Sequence, residues 1–243
     1  MNSSASGIAI VAALERELRG LAKISRRVER EYEGRKFIFI EHAETVAVCA
    51  GIGVEPARRA AEAVIALYHP AQLLSVGFAG ALLPDLHVGD IFSPATVIDA
   101  RDGSQVMIEG GVGTLITFMA VASPKQKAKL AQAYGAQAVD MEAAAVAAAA
   151  RAHGIRFTAT KVISDGLDFE MPETARFIDA HGRFRTASFA VYAAVRPWLW
   201  LRLAQLASNS SKAARILGDY LTRCHQPLAE TFEAKTTEIS SNR

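Results

Sequence analysis

The stretch Gly7-Ile8-Ala9-Ile10-Val11-Ala12-Ala13, followed at once by Leu14-Glu15-Arg16-Glu17-Leu18-Arg19-Gly20-Leu21, decides how the chain is read. The first half is an uninterrupted apolar run entered through a glycine. Such a run fits a parallel strand covered on both faces. In the second half Leu14, Leu18 and Leu21 recur at helical spacing. The chain thus opens strand, tight turn, helix.

The alternation continues. Residues 36–40 and 45–50 read as strands, the second running into Gly51-Ile52-Gly53 and a helix from about Pro56 to Tyr68. Proline is tolerated in a first helical turn because its missing N–H has no partner there. Residues 72–78 form an apolar strand ending in Gly77-Phe78-Ala79-Gly80-Ala81. Residues 89–98 and 114–122 read as strands, and 124–134 as a basic helix opened by Pro124. Ala138 to Glu142 leads into an alanine-rich helix reaching about His153, with Gly154 as its C-cap. A last strand over 155–164 ends in Ser164-Asp165-Gly166. Strands alternating with helices predict an α/β fold, a single domain with a central mixed, mostly parallel twisted sheet flanked by helices. The domain is expected over 1–225, with a helical basic extension from about 176. The polar segment 226–243 reads as a flexible tail.

Composition excludes several classes. The chain has 243 residues, of which 51% are hydrophobic and 21% charged, a folded composition rather than a disordered one. A net charge of +2 argues against a general nucleic-acid binder. Cys49 and Cys224 are too few for a disulfide framework and lack metal-ligand spacing, so no metal is expected. No run approaches the roughly 20 apolar residues of a membrane span. Met1-Asn2-Ser3-Ser4 lacks a basic signal-like start, so a cytoplasmic location is expected. The charge is unevenly spread. Residues 176–225 carry eight Arg or Lys against two Asp, a local excess of six, and Trp198 and Trp200 sit within that stretch.

In open parallel sheets, ligands bind beyond the carboxyl ends of strands. The turns falling there are Ala13 to Glu17, Gly51 to Gly53, Gly77 to Gly80, Met141-Glu142 and Ser164-Asp165. Glycine permits close backbone approach to a ligand. Carboxylates at such ends serve as acid, base or hydroxyl binder.

Val139-Asp140-Met141-Glu142-Ala143-Ala144-Ala145-Val146 closely resembles the signature of the purine nucleoside phosphorylase and methylthioadenosine/adenosylhomocysteine nucleosidase superfamily. Gly7 to Ile10 with Ala13 to Glu17 is similar to the nucleosidases' opening strand and acidic turn. Gly51-Ile52-Gly53 is similar to their second ligand loop. Gly77 to Leu82 followed by Val88-Gly89-Asp90-Ile91 resembles their central loop and next strand, and Val162 to Asp165 resembles the strand bearing the catalytic acid. The likeness spans about 7–168. Within the superfamily the chain looks most like the hopanoid-associated group, through the Asp-Met-Glu signature, the short segment 100–120, and the ending Arg196-Pro197-Trp198 through Ala207-Ser208-Asn209-Ser210.

The resemblance implies cleavage of a purine N-glycosidic bond, and with it these roles. Asp165 matches the acid that protonates N7 of the leaving base, and must then be neutral or share a proton; by itself it would read as a helix cap. Glu142 matches the carboxylate that grips the ribose hydroxyls, and Met141 would pack on sugar or base. Gly77, Phe78, Ala79, Gly80, Val121, Ala122 and Ser164 fall at the base or its loop. Ala13, Gly51, Ile52 and Gly53 fall at the loop for the nucleophile or an anion. The aromatic residue expected near Val121-Ala122 is missing, with Phe118 or Phe169 as substitutes.

The attacking group discriminates. In hexameric phosphorylases an arginine stands at the position of Glu17, a second at Ser75, and a phosphate-binding serine at Phe78. Glu17 instead matches the nucleosidases' base that activates water. Two anions at ~4 Å repel by ~4 kcal/mol in a surface-like dielectric, so phosphate beside Glu17 needs Arg16 or another cation. Hydrolysis is expected over phosphorolysis. No cofactor is expected, with phosphate a co-substrate only in the phosphorolytic case. The subgroup resemblance implies an adenosylhopane-like, lipid-linked substrate, and the basic Trp-bearing segment near 183–202 then fits peripheral contact with a membrane surface; packing on the domain or a dimer partner is the alternative. The family implies a homo-oligomer, a dimer favoured. Rival readings are phosphorolysis, a sensor that keeps the fold without catalysis, and a dinucleotide enzyme, the last lacking Gly-x-Gly-x-x-Gly after its first strand.

Overall fold

A computed structural model of the protein describes residues 7–170, 175–179 and 182–224. The elements are β1 (Ile8–Ala12), a 3-10 turn (Glu15–Leu18), α1 (Arg19–Ala22), β2 (Arg26–Tyr32), β3 (Arg35–His42), β4 (Thr45–Cys49), α2 (Val54–Tyr68) and β5 (Gln72–Ala81). Then come β6 (Ile91–Phe92), β7 (Thr96–Asp99), β8 (Gln105–Met107), β9 (Thr114–Thr117), α3 (Pro124–Tyr134), β10 (Ala138–Asp140), α4 (Ala143–Ala152) and β11 (Arg156–Asp165). α5 (Thr186–Ala194) and α6 (Trp200–Cys224) close the described chain.

One sheet runs in the order β2-β3-β4-β1-β5-β10-β9-β7-β8, with β11 also on β5 and β6 on β11. Its centre is parallel: β1 pairs β4 and β5, and β11 pairs β5 from Arg156↔Gln72 onward. Antiparallel pairs lie mainly outside that centre, in β2-β3-β4 and β7-β8. This is the mixed sheet expected. Central strands are covered on both faces, which explains their unbroken apolar runs. α2 and α4 cover one face through alanines, Ala57, Ala60, Ala61 and Ala63 of the first and Ala143, Ala147 and Ala150 of the second belonging to one buried cluster. Small side chains let these two helices lie close. Leu18, Leu21, Ala213, Leu217 and Leu221 cover the other face.

Some expected boundaries are corrected. The strand expected over 89–98 is two short ones, β6 and β7, because Ser93-Pro94 intervenes and proline cannot donate to a ladder. The strand expected over 114–122 stops at Thr117, while the one expected over 72–78 runs on to Ala81. β2 and β8 went unread. The segment 226–243 and His181 lie outside the described residues.

Candidate active site

β1, β10 and β11, which surround β5 or adjoin it in the sheet, bring charged side chains to or near their carboxyl ends. Glu17, on the 3-10 turn after β1, is 2% exposed. Its Oε2 accepts from the Ala13 and Leu14 N–H groups, both at 2.9 Å, and its Oε1 from Phe78 N–H at 3.3 Å. The turn therefore folds its own carboxylate back over the strand end and against β5. Gly77 makes this possible. It has φ +148°, and a Cβ there would lie 3.2 Å from both carboxylate oxygens. Burial pushes the Glu17 carboxyl above its ordinary value, against the pull of its backbone donors and of Lys161 and Arg16.

Lys161, in the middle of β11, is 1% exposed. Its Nζ lies 2.9 Å from Asp140 Oδ2 and donates to Ser75 Oγ at 3.1 Å. Burial lowers the affinity of its amine for the proton, but Asp140, Glu142 and Glu17 together outweigh burial and raise it. Asp140 is a structural hub. Besides Lys161 it accepts from Thr117 Oγ1 at 2.6 Å and from the N–H of Ala143, the first residue of α4, at 2.8 Å. Glu142 Oε1 accepts from Gly53 N–H at 2.8 Å, joining the signature segment to the Gly51–Gly53 loop. Burial first, and the neighbouring Asp140 charge second, push the Glu142 carboxyl up to about 8. At neutral pH it then carries a proton and can both donate to and accept from a sugar diol.

Asp165 ends β11, where the β5–β11 register slips between Ile163 and Asp165. Such a bulge re-aims the side chains beside it. Asp165 is 6% exposed, and its Oδ1 accepts from Ser164 Oγ at 2.8 Å. Its Oδ2 is ion-paired with Lys127 of α3. Glu17 lies against Gly77 and Phe78, whereas Asp165 lies against Gly80. These points are three residues apart on one strand, about 10 Å. Glu17 and Glu142 feel each other electrostatically and share Lys161. Glu17 and Asp165 thus both lie against β5, and Glu142 is linked to Glu17 through Lys161.

The remaining expected residues divide. Gly51 N–H donates to Ala13 O at 3.0 Å, and Ile52 N–H to Gly182 O at 2.9 Å, so the loop is held between the first strand and the segment before α5. Ala79 O receives the Ser164 hydroxyl at 3.4 Å. The Phe78 ring is half-buried with the Arg16 guanidinium 5.2 Å above it. Met141 is half-buried beside Glu142, to whose Oε2 its N–H donates at 3.3 Å. Ala122 instead fills an apolar cluster with Leu82, Leu130 and Val139, and Val121 beside it is half-buried. Phe118 packs on that cluster, while Phe169 turns back so that its N–H reaches Gly166 O at 3.2 Å, next to Asp165. His153 bonds Glu62 at 2.8 Å and His42 the Ile24 carbonyl at 3.0 Å, both away from the carboxyls. A cavity of about 1050 Å³ opens beside Ala13 and Gly51, walled by Phe37, Arg59, Arg183 and Phe184.

Sequence reasoning missed Lys127, Asp140 and Lys161 as members of the site. The signal for Lys161 was a single lysine inside the apolar strand Thr158-Ala159-Thr160-Lys161-Val162-Ile163. A lone cation there has to be paired. Lys127 shares a helix face with Leu130 and Ala131, but Lys125 and Lys129 disguise it as one of a solvated set.

The family model described as the phosphorylase superfamily matches residues 7–113 and 106–196. The chain belongs to the phosphorylase superfamily, and it is an enzyme of the class that cleaves N-glycosidic bonds. Among solved structures, the futalosine hydrolase of Helicobacter pylori superposes with a TM-score of 0.67 at 17% identity, over 91% of this chain and 97% of that one. The 5′-methylthioadenosine/S-adenosylhomocysteine nucleosidase of the same organism gives 0.66 at 17% identity, over 90% and 97%. A putative nucleosidase of that type from Francisella philomiragia gives 0.65 at 19% identity, over 89% and 97%. At these identities the likeness is one of fold. No curated protein matches the chain in sequence at a significant level.

Proposed function

We propose that the protein hydrolyses the N-glycosidic bond of an adenine nucleoside with a large 5′ substituent, releasing adenine. The observation that carries this is Glu17, buried and raised in proton affinity, and held by backbone N–H groups at the point where β1 meets β5. A base poised nearer to neutral is suited to taking a proton from water. Glu142 binds the ribose hydroxyls. Asp165 serves the departing base, whose negative charge grows as the C1′–N9 bond lengthens. The sugar becomes oxocarbenium-like, and the surrounding carboxylates favour that positive charge. The similar solved proteins are named a nucleosidase and a futalosine hydrolase, which supports hydrolysis of a purine nucleoside.

Charge decides between water and phosphate. Glu17, Asp140 and Glu142 share Lys161, which is already engaged by Asp140 and Ser75, and the other cation felt by Glu17 is Arg16. An incoming phosphate would meet an excess of acid groups. The second reading, phosphorolysis, is favoured by Arg16, whose guanidinium stands over Phe78 and near the same turn. The 1050 Å³ cavity beside the Gly51 loop supports a bulky 5′ group. A lipid-linked nucleoside of the adenosylhopane type, with peripheral contact at a membrane, is the finer form of this proposal. It is supported by Val191, Val195, Trp198, Trp200 and Leu201, all exposed on the segment that also carries Arg183, Arg185 and Arg202. Among the described residues no helix is long and apolar enough to cross a membrane.

The test is adenine release, followed by chromatography, from adenosines with 5′ groups of increasing size. Turnover rising with the bulk of the 5′ group supports the proposal. Release from no nucleoside would refute it.

A further inference from the structure

We propose that Lys127 is the store of the proton that the departing base takes through Asp165, a positioning residue for the acid half of the reaction. This rests on the proposed function, with Asp165 facing the purine. Lys127 is 1% exposed, whereas Lys125 and Lys129 on the same helix are exposed. Its ammonium meets Asp165 Oδ2 and donates to Gly166 O at 2.7 Å. Ser164 Oγ donates to the other carboxylate oxygen at 2.8 Å. The fold reserves room for the pair. A Cβ on Gly80 would lie 2.9 Å from Asp165 Oδ2 and 3.2 Å from both Cε and Nζ of Lys127. Stability alone gives no reason for such a pair, because a buried ion pair is often matched or bettered by apolar residues of similar volume.

The pair has two forms that differ in where one shared proton sits: ammonium with carboxylate, and amine with carboxylic acid. In the acid form Asp165 can donate to N7. As the C1′–N9 bond breaks, its electron pair goes to the base. N7 takes the proton from Asp165, which leaves Asp165 as the carboxylate beside the Lys127 amine from which that proton came. At C1′ the water oxygen forms the new bond, and the water proton goes to Glu17. The Lys127 amine and the Glu17 acid return to their starting states by exchange with solvent after products leave.

The test compares leaving groups. Adenosine derivatives need a proton on the base; 4-nitrophenyl riboside does not. Lys127→Met should lower kcat on the nucleoside by about 10²-fold or more, the scale of a lost general acid, and leave the nitrophenyl substrate nearly unchanged. Lys127→Arg keeps the charge but holds its protons at every working pH, so it should fold, keep the nitrophenyl reaction and still lose the nucleoside reaction. Equal losses on both substrates, or a Lys127→Arg enzyme as fast as wild type on the nucleoside, would overturn the proposal. If Lys127→Met does not fold, or the wild type cleaves the nucleoside alone, Lys127→Arg decides by the same criterion. A wild type that releases no base from any nucleoside refutes the proposed function itself, which separates the two failures.

Discussion

The carboxyl end of the sheet and the segment 182–202 are built on opposite terms. At the sheet end, charge is inside. Glu17, Lys127, Asp140, Lys161 and Asp165 are all buried, and each has a polar partner. In 182–202, apolar surface is outside. Trp198 is 72% and Leu201 82% exposed, and no residue of α5 is buried. That segment is held by aromatic packing on Phe177 just before it, which meets Phe189 and Tyr192 at centroid distances of 5.2 Å, with Arg196 3.9 Å over the Tyr192 ring. The lesson concerns tolerance. A buried charge network is destabilised strongly when one partner is removed, because the other is left uncompensated. An exposed ridge can change with little effect on stability, so large apolar residues there point to contact rather than to folding.

Four changes would break or sharpen this contrast. The largest effect is expected for Glu17→Gln, which should lower kcat by about 10²–10⁴-fold. Its Tm should fall, because the amide NH2 would face a backbone N–H that the carboxylate accepts from in the wild type; a normal kcat would show that the base lies elsewhere. Gly80→Ala places a Cβ 2.9 Å from Asp165 Oδ2. It should destabilise by about 1–3 kcal/mol in urea unfolding, as overpacking does, and an unchanged midpoint would mean that the pair has slack.

The pH dependence of stability should be smaller per step. Glu142 is raised to about 8 in the folded protein against an ordinary 4.5. Between those values the folded state holds a proton that the unfolded state has released, so stability falls as pH rises. The slope is at most about 1.4 kcal/mol per pH unit for one group. Glu17, raised by burial, adds the same sign. Glu142→Gln should flatten the fall in Tm between pH 5 and 8, and an unaltered slope would move its origin to another group. The smallest stability effect, within about 0.5 kcal/mol, is expected for Trp198→Ser with Trp200→Ser. That pair should nonetheless abolish co-sedimentation with anionic phospholipid vesicles; full retention would remove the membrane reading of the ridge.

How much could be read in advance also differs between regions. The parallel strands were legible because burial on both faces leaves an unbroken apolar run, as in Ile8–Ala12 and over 72–78. β2 was not, because Arg26-Arg27-Val28-Glu29-Arg30-Glu31-Tyr32 is an edge strand with five exposed residues, and its charges belong to the edge rather than to a loop. The carboxylates Glu17, Glu142 and Asp165 were legible because each sits in a contiguous motif at a strand end. Their cations were not. Lys127 and Asp165 are 38 positions apart, and Lys161 reaches Ser75 across 86. Pairing over such separations is fixed by strand order and helix placement, which no local pattern carries.

The central claim is that water, activated by Glu17, is the nucleophile. Product analysis in scrupulously phosphate-free buffer and again in excess phosphate tests it most directly, with wild type and Glu17→Gln side by side. The account predicts the same rate in both buffers, free sugar as the product in each, and loss of that product in the variant. A wild-type reaction that starts only when phosphate is added and yields the sugar 1-phosphate would contradict it.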